Sequence, residues 1–171
     1  MRARPGGRGR QQPGPRVSLV GGAWTDAASG ETMEVLNPAT GEVLARVKTV
    51  TEADILMFAA ASGDMNAVHL NQEFAEHTAF HGRIAHGLLT AGIVSACIGN
   101  KLPGLGTIYL SQTLRFKAPV HPGDTVRAIV TVKSLDVEKN RVVLDTVCQV
   151  QGNTVLEGEA TVLAPKRPKE Q

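Results

Sequence analysis

The chain has 171 residues, 42% hydrophobic and 20% charged, which suits one domain of ordinary size with a core of its own. Five arginines (Arg2, Arg4, Arg8, Arg10, Arg16) crowd into residues 1–16, leaving 13 basic against 16 acidic residues, so the body is about −3 although the whole is +2. The body has no basic stripe with interleaved aromatics, which argues against nucleic-acid binding, and its two cysteines, Cys97 and Cys148, show neither CxxC nor metal-ligand spacing, which points to a reducing, cytoplasmic setting.

Residues 1–16 are Arg, Gly, Pro and Gln without an apolar period, and a disordered basic tail is expected. They contain no apolar run of a secretory signal, and Pro5, Pro13 and Pro15 oppose the amphipathic helix of an organellar leader. Residues 17–46 read as an N-terminal extended or hairpin segment, with strands at 31–36 and 42–50 around the turn Asn37-Pro38-Ala39-Thr40-Gly41. Leu19-Val20-Gly21-Gly22-Ala23-Trp24, Gly30-Glu31-Thr32 and the run from Leu36 to Val43 resemble the opening hairpins of aldehyde dehydrogenases. Nothing downstream supplies a dinucleotide domain or that family's catalytic cysteine region, so no dehydrogenase activity is carried over. The segment is expected to serve as edge strands.

Thr51-Glu52-Ala53-Asp54 has the form of a capping box, and Ile55, Leu56, Phe58 and Ala59 recur at helical spacing before Gly63 stops the helix. Asp64 and His69 follow, separated by four residues in a segment without a regular period. A carboxylate orients a water, and an imidazole gives or takes a proton near neutrality. On a helix, five residues would splay the two apart; in a turning loop they converge. Asn71 is placed to cap a short helix over 72–76, with Phe74 facing inward.

Residues 84–100 carry no formal charge and predict a helix that is apolar nearly all round, hence buried inside the protein. His86, Thr90, Ser95 and three glycines, in a run this short, argue against a membrane span. From Gly106 onward the chain reads as strands over 107–116, 125–136, 141–150 and 154–164, separated by turn residues. Strands of ten residues or more exceed the usual five or six, as a sheet that curls around something long requires. The expected fold is α+β, a hot-dog: a long antiparallel sheet wrapped around a central buried helix. The domain is placed at 47–164, with a polar C-terminal tail over 165–171.

The run FAAASGDMNAVH, from Phe58 to His69, is similar to the signature of MaoC-like hydratases, the (R)-specific enoyl-CoA hydratases, and HGRIAHGLLTAGIVSACIGNKLPGLGTIYLSQTLRFKAPVHPGD continues the likeness. The resemblance implies reversible hydration of trans-2-enoyl-CoA to (R)-3-hydroxyacyl-CoA. Asp64 and His69 then hold one water, one as base and one as acid, on one face of the substrate. Asn66 shapes their turn, and Ala67 stands where the family usually has proline. Gly87 matches the oxyanion position, where a helix-start amide meets the thioester oxygen; close helix–sheet packing explains the same glycine. Ser95 aligns with an orienting active-site serine, or is a core serine bonded to the carbonyl of residue 91. Ile98 lines the acyl pocket, or belongs to the core.

No cofactor and no metal are implied; His69, His77 and His81 have no standard ligand spacing. The partners implied are an acyl-CoA thioester and a second copy of the chain, joined edge to edge in a homodimer. Lys101, Arg115 and Lys117 are candidates for the CoA phosphates. Alternative functions are dehydration of 3-hydroxyacyl groups on acyl carrier protein or of branched acyl-CoA, a hot-dog thioesterase, and a non-catalytic acyl-binding module. Thioester hydrolysis leaves the Asp64–His69 pair unexplained.

Overall fold

The computed structural model describes residues 18–20, 23–25 and 44–165. The expectations for residues 1–16, for a strand over 31–36 and for a tail beyond Pro165 lie outside these residues. Two short strands, β1 (Ser18–Val20) and β2 (Ala23–Thr25), pair antiparallel. The main sheet holds β3 (Leu44–Thr49), β4 (Ile108–Gln112), β5 (Arg115–Phe116), β6 (Thr125–Asp136), β7 (Arg141–Val150) and β8 (Asn153–Leu163), in spatial order β3-β6-β7-β8-β4 with β5 also on β8. Every pairing is antiparallel. Among the described residues the first strand of this sheet starts at Leu44, inside the segment that the sequence assigns to N-terminal hairpins.

Among the described residues four helices precede β4: α1 (Glu52–Ser62), α2 (Ala67–Leu70), α3 (Gln72–Glu76) and α4 (Gly87–Asn100). The long strands alternate, as half-buried strands do. β6 buries Val126, Ala128 and Val130, and β7 buries Val142, Leu144, Thr146 and Cys148. Against this face α4 packs Ile93, Val94, Cys97 and Ile98. Extra residues in the register, Lys133 in β6 opposite β7 and Val155 in β8 opposite β7, add the local bends of a curling sheet. The architecture is the hot-dog.

α4 is not covered on every side within one chain. Leu88, Gly92 and Ser95 share an exposed face, Leu88 being 58% accessible. Its uncharged outer residues are small or half-covered, which is why composition alone suggests a fully buried helix.

β6 and β7 have the predicted bounds, but the strand expected over 107–116 is broken in two. The break lies where the chain crosses Gly158. A Cβ there would stand 1.8 Å from the Thr113 carbonyl oxygen, so only glycine admits this crossing. Thr113 is fixed by bonds from its N–H to the Glu159 carbonyl and from the Glu159 N–H to its hydroxyl, both 2.9 Å. Phe74 also departs from expectation. Consecutive helical residues point about 100° apart, and Ala75 occupies the inward position of α3, leaving Phe74 51% exposed.

The thiols of Cys97 and Cys148 are core groups. Burial pushes Cys97 up to about 11, against the pull of Arg46 and Lys101, and burial with repulsion from Cys97 pushes Cys148 up to about 12. Both stay protonated at neutral pH, which removes a thiolate nucleophile from consideration.

Candidate active site

The site is built where α1 ends. Thr51 caps α1 with the full box: its hydroxyl accepts from the Asp54 N–H, and the Asp54 carboxylate accepts from the Thr51 N–H at 2.8 Å. Burial opposes the Asp54 charge, but the Thr51 bonds and Lys48, 3.1 Å away, outweigh it and hold the carboxyl below its usual range. At the other end Gly63 adopts φ 76°, a left-handed cap open to glycine at no steric cost, and its N–H returns to the Ala59 carbonyl.

From there the backbone is turned by side chains rather than by a regular element. The Ser62 hydroxyl donates to the Phe58 carbonyl at 2.7 Å and accepts from the Asp64 N–H. The Asp64 carboxylate accepts from the Asn66 N–H, and the Asn66 side-chain oxygen caps α2 by accepting from the Val68 N–H. His69 therefore sits on a short helix and not in an aperiodic loop. The intervening turn at Asp64–Asn66 supplies the convergence that a continuous helix would prevent. Ala67 is the first residue of α2, the helix position where proline fits best.

Asp64 is exposed, while His69 is 9% and His86 2% accessible. One carboxylate oxygen of Asp64, one ring nitrogen of His69 and one of His86 all lie within 4.8 Å of one another. A water bonded to two groups at about 2.8 Å each, near the tetrahedral angle, bridges atoms about 4.6 Å apart. Asp64 and His69, within 4.8 Å of each other, are close enough for one water to bridge.

His69 Nδ1 is 2.8 Å from the Ile84 carbonyl oxygen. A carbonyl only accepts, so Nδ1 carries the hydrogen and, in the neutral ring, Nε2 holds the free lone pair. Beside it, the His86 ring stacks on His69 with centroids 3.8 Å apart and a 30° tilt, and on Phe58 at 4.9 Å. His86 Nε2 donates to the backbone carbonyl of Asp64 at 3.0 Å.

The same three side chains are also a formal set of metal ligands, but their geometry opposes it. Imidazole lone pairs lie in the ring plane, so two rings stacked at 30° direct them nearly side by side rather than toward one ion. His77, from the set considered on sequence, instead bonds the Glu73 carbonyl of its own helix through Nδ1.

Asp64, His69, His86 and Gly87 line a cavity of about 670 Å³, closed at its inner end by Ala85, Thr90, Val120 and Leu156. Gly87 opens α4, where its N–H has no carbonyl one turn back to bond, while the Leu89 N–H already bonds the His86 carbonyl at 3.0 Å. A Cβ at Gly87 would stand 2.6 Å from the Phe116 ring, so the glycine lets that half-exposed ring close over the helix start.

The remaining sequence candidates do not converge here. Ser95 stands on the exposed face of α4 and does not line the cavity. Ile98 shares Gly87's face but lies about 16 Å further along the axis, fully buried in the core and also off the cavity. Among the basic candidates, Lys117 lines the cavity and pairs with Glu157 at 3.3 Å, as Arg115 does at 3.6 Å. Lys101 caps the far end of α4. On sequence His86 counts only as a polar residue in the uncharged run; its ring in fact touches both members of the pair. The signal was present as a histidine directly before the glycine that starts an uncharged helix.

A model of the MaoC-like domain matches residues 35–157. An (R)-specific enoyl-CoA hydratase from Rhodospirillum rubrum is 51% identical over 127 residues, 74% of this chain and 88% of the relative. A 3-hydroxybutyryl-CoA dehydratase from Methylorubrum extorquens is 48% identical over 120 residues, 70% of this chain and 76% of the relative. Among solved structures, the unliganded R-hydratase PhaJ1 from Pseudomonas aeruginosa superposes with a TM-score of 0.71 at 44% identity, covering 74% of this chain and 82% of that one. The Asp64–His69 turn and the helix that starts at Gly87 both fall inside the matched span, and the chain belongs to the MaoC-like domain family.

Proposed function

We propose that this chain catalyses the reversible syn hydration of trans-2-enoyl-CoA to (R)-3-hydroxyacyl-CoA. The observation that carries the reading is a carboxylate oxygen of Asp64 within 4.8 Å of a ring nitrogen of His69, in a cavity that Gly87, the first residue of α4, also lines.

The net reaction moves one proton from water to Cα and joins the remaining hydroxide to Cβ. His69 Nε2 takes the proton as the water oxygen attacks Cβ, and Asp64 holds the water's second hydrogen. The imidazolium so formed stands beside the Asp64 carboxylate, which stabilises it. Negative charge passes to the thioester oxygen, where the Gly87 N–H and the α4 dipole receive it. The same proton then returns to Cα on the same face, and His69 is neutral again. No electron changes hands between molecules, so the chemistry calls for no redox cofactor.

Acyl-CoA is the substrate we assign, with Lys117 the basic residue best placed at the cavity for a phosphate. A homodimer accounts for the apolar edge. β4 ends the sheet, and Ile108, Tyr109 and Leu110 are 56%, 37% and 47% exposed along it. Leu88 and Ser95 add the open face of α4. No helix among the described residues is long and apolar enough to cross a membrane; a cytoplasmic setting rests on the two buried thiols.

Mixing the protein with crotonyl-CoA while following enone absorbance and free thiol tests the reading. Enone loss without thiol release is expected. Thiol release identifies a thioesterase, and inertness towards every chain length of enoyl-CoA identifies a binding module; either result overturns the proposal.

A further inference from the structure

We propose that His86 is a positioning residue that holds Asp64 and His69 in register from a third point in the chain. This rests on the reading of Asp64 and His69 as the catalytic pair. His86 touches each of them differently: its Nε2–H binds the Asp64 backbone carbonyl at 3.0 Å, and its ring stacks on His69 at 3.8 Å. Phe58 backs the His86 ring at 4.9 Å, so the imidazole cannot tilt without moving α1 or α2.

Simple packing does not explain an imidazole at this place. His86 is 2% accessible, and its Nδ1 is buried with no hydrogen-bond partner. A buried lone pair without a donor costs stability that a hydrocarbon ring would not. Helix capping does not explain it either, because His86 is the N-cap of α4 yet makes no side-chain cap bond. The function left to the ring is the Nε2–H bond to Asp64.

The arrangement also fixes protons. His69 donates from Nδ1 to Ile84, and His86 donates from Nε2 to Asp64, so two stacked rings hold opposite tautomers. Ile84, His86 and Gly87 lie within four residues, so one short strap sets the base, the Asp64 backbone and the oxyanion donor together.

His86→Phe keeps the stack and removes the donor; His86→Gln restores a donor near Nε2. For crotonyl-CoA, His86→Phe is expected to lower kcat about 100-fold, with KM within about threefold of the parent, the mark of misplaced chemistry rather than lost binding. His86→Gln is expected to recover roughly tenfold or more of that loss. A Phe variant with the parent's kcat, or a Gln variant as impaired as the Phe variant, would overturn the proposal. Should the variants fail to fold, ¹⁵N NMR of the histidine rings in the unmodified protein decides. A hydrogen on His86 Nε2 beside one on His69 Nδ1 is expected, and a His86 whose Nε2 carries no hydrogen overturns it. Asp64→Asn and His69→Ala are assayed alongside. If those keep turnover, the reading of the catalytic pair falls and this proposal with it; if only His86→Phe keeps it, the His86 proposal alone falls.

Discussion

At its first turn α4 lines a cavity of about 670 Å³ with Gly87, Leu88 and Thr90, whereas two turns later it presents Ile93, Val94, Cys97 and Ile98 to a closed core. Both ends belong to one uncharged run, and both attract functional assignments on sequence. The difference is in what faces them. The first turn meets Asp64 and His69, delivered by a separate turn-and-helix segment, while the later turns meet the alternating inner face of β6 and β7. Helical periodicity tells which residues share a face; it does not tell which element lies opposite.

The largest effects belong to the first end. Asp64→Asn and His69→Ala are each expected to reduce kcat for crotonyl-CoA by roughly 10²–10⁴-fold while circular dichroism and the thermal midpoint stay near the parent's, since general acid–base contributions have that size. Retained turnover in either variant removes that residue from the mechanism.

Next comes the core end. Ile98→Ala is expected to cost about 2–5 kcal/mol in urea unfolding, as a cavity-forming truncation at a fully buried site does, with little change in chain-length preference. A stable variant with an altered acyl-length profile would return Ile98 to the pocket.

A smaller change separates the two ends again. Gly87→Ala drives a Cβ to 2.6 Å from Phe116, a half-exposed ring able to move. Fold is expected to survive, and kcat/KM to fall about tenfold through a shifted helix start, with recovery in the Gly87→Ala, Phe116→Ala double variant. Unfolding by Gly87→Ala would show that tight packing, rather than access to the amide, is the glycine's role.

The smallest effect concerns the turn that brings the pair to α4. Ala67→Pro places proline at the first position of α2, after Asn66 in an extended conformation (φ −57°, ψ 131°) compatible with a following proline. A gain of about 0.4–1 kcal/mol is expected from the stiffer unfolded chain, with activity kept.

Much of this was legible in the chain itself. The capping box at Thr51 and Asp54, the stop at Gly63 and the bounds of β6 and β7 are local signals, and local signals survive tertiary context. The Asp64–His69 pair was legible as residue types at a spacing, and their meeting depends on Ser62 and Asn66, which are turn-forming residues visible in the sequence. Three features were not legible. The crossing of Thr113 over Gly158 is a long-range contact that splits one apparent strand into β4 and β5. The exposure of Ser95 depends on which side of α4 the sheet covers. The stacking of His86 on His69 joins residues 17 positions apart through two different elements. Each is decided by packing partners that no local pattern encodes.

The shared water itself is tested most directly by running the hydration of crotonyl-CoA in D₂O and reading the product by NMR. With Asp64 and His69 on one cavity wall, deuterium and deuteroxide add to the same face, and a single C2 diastereomer of (3R)-3-hydroxybutyryl-CoA with the syn relationship is expected. Anti addition, or a mixture of diastereomers at C2, would contradict a single water shared by the two residues.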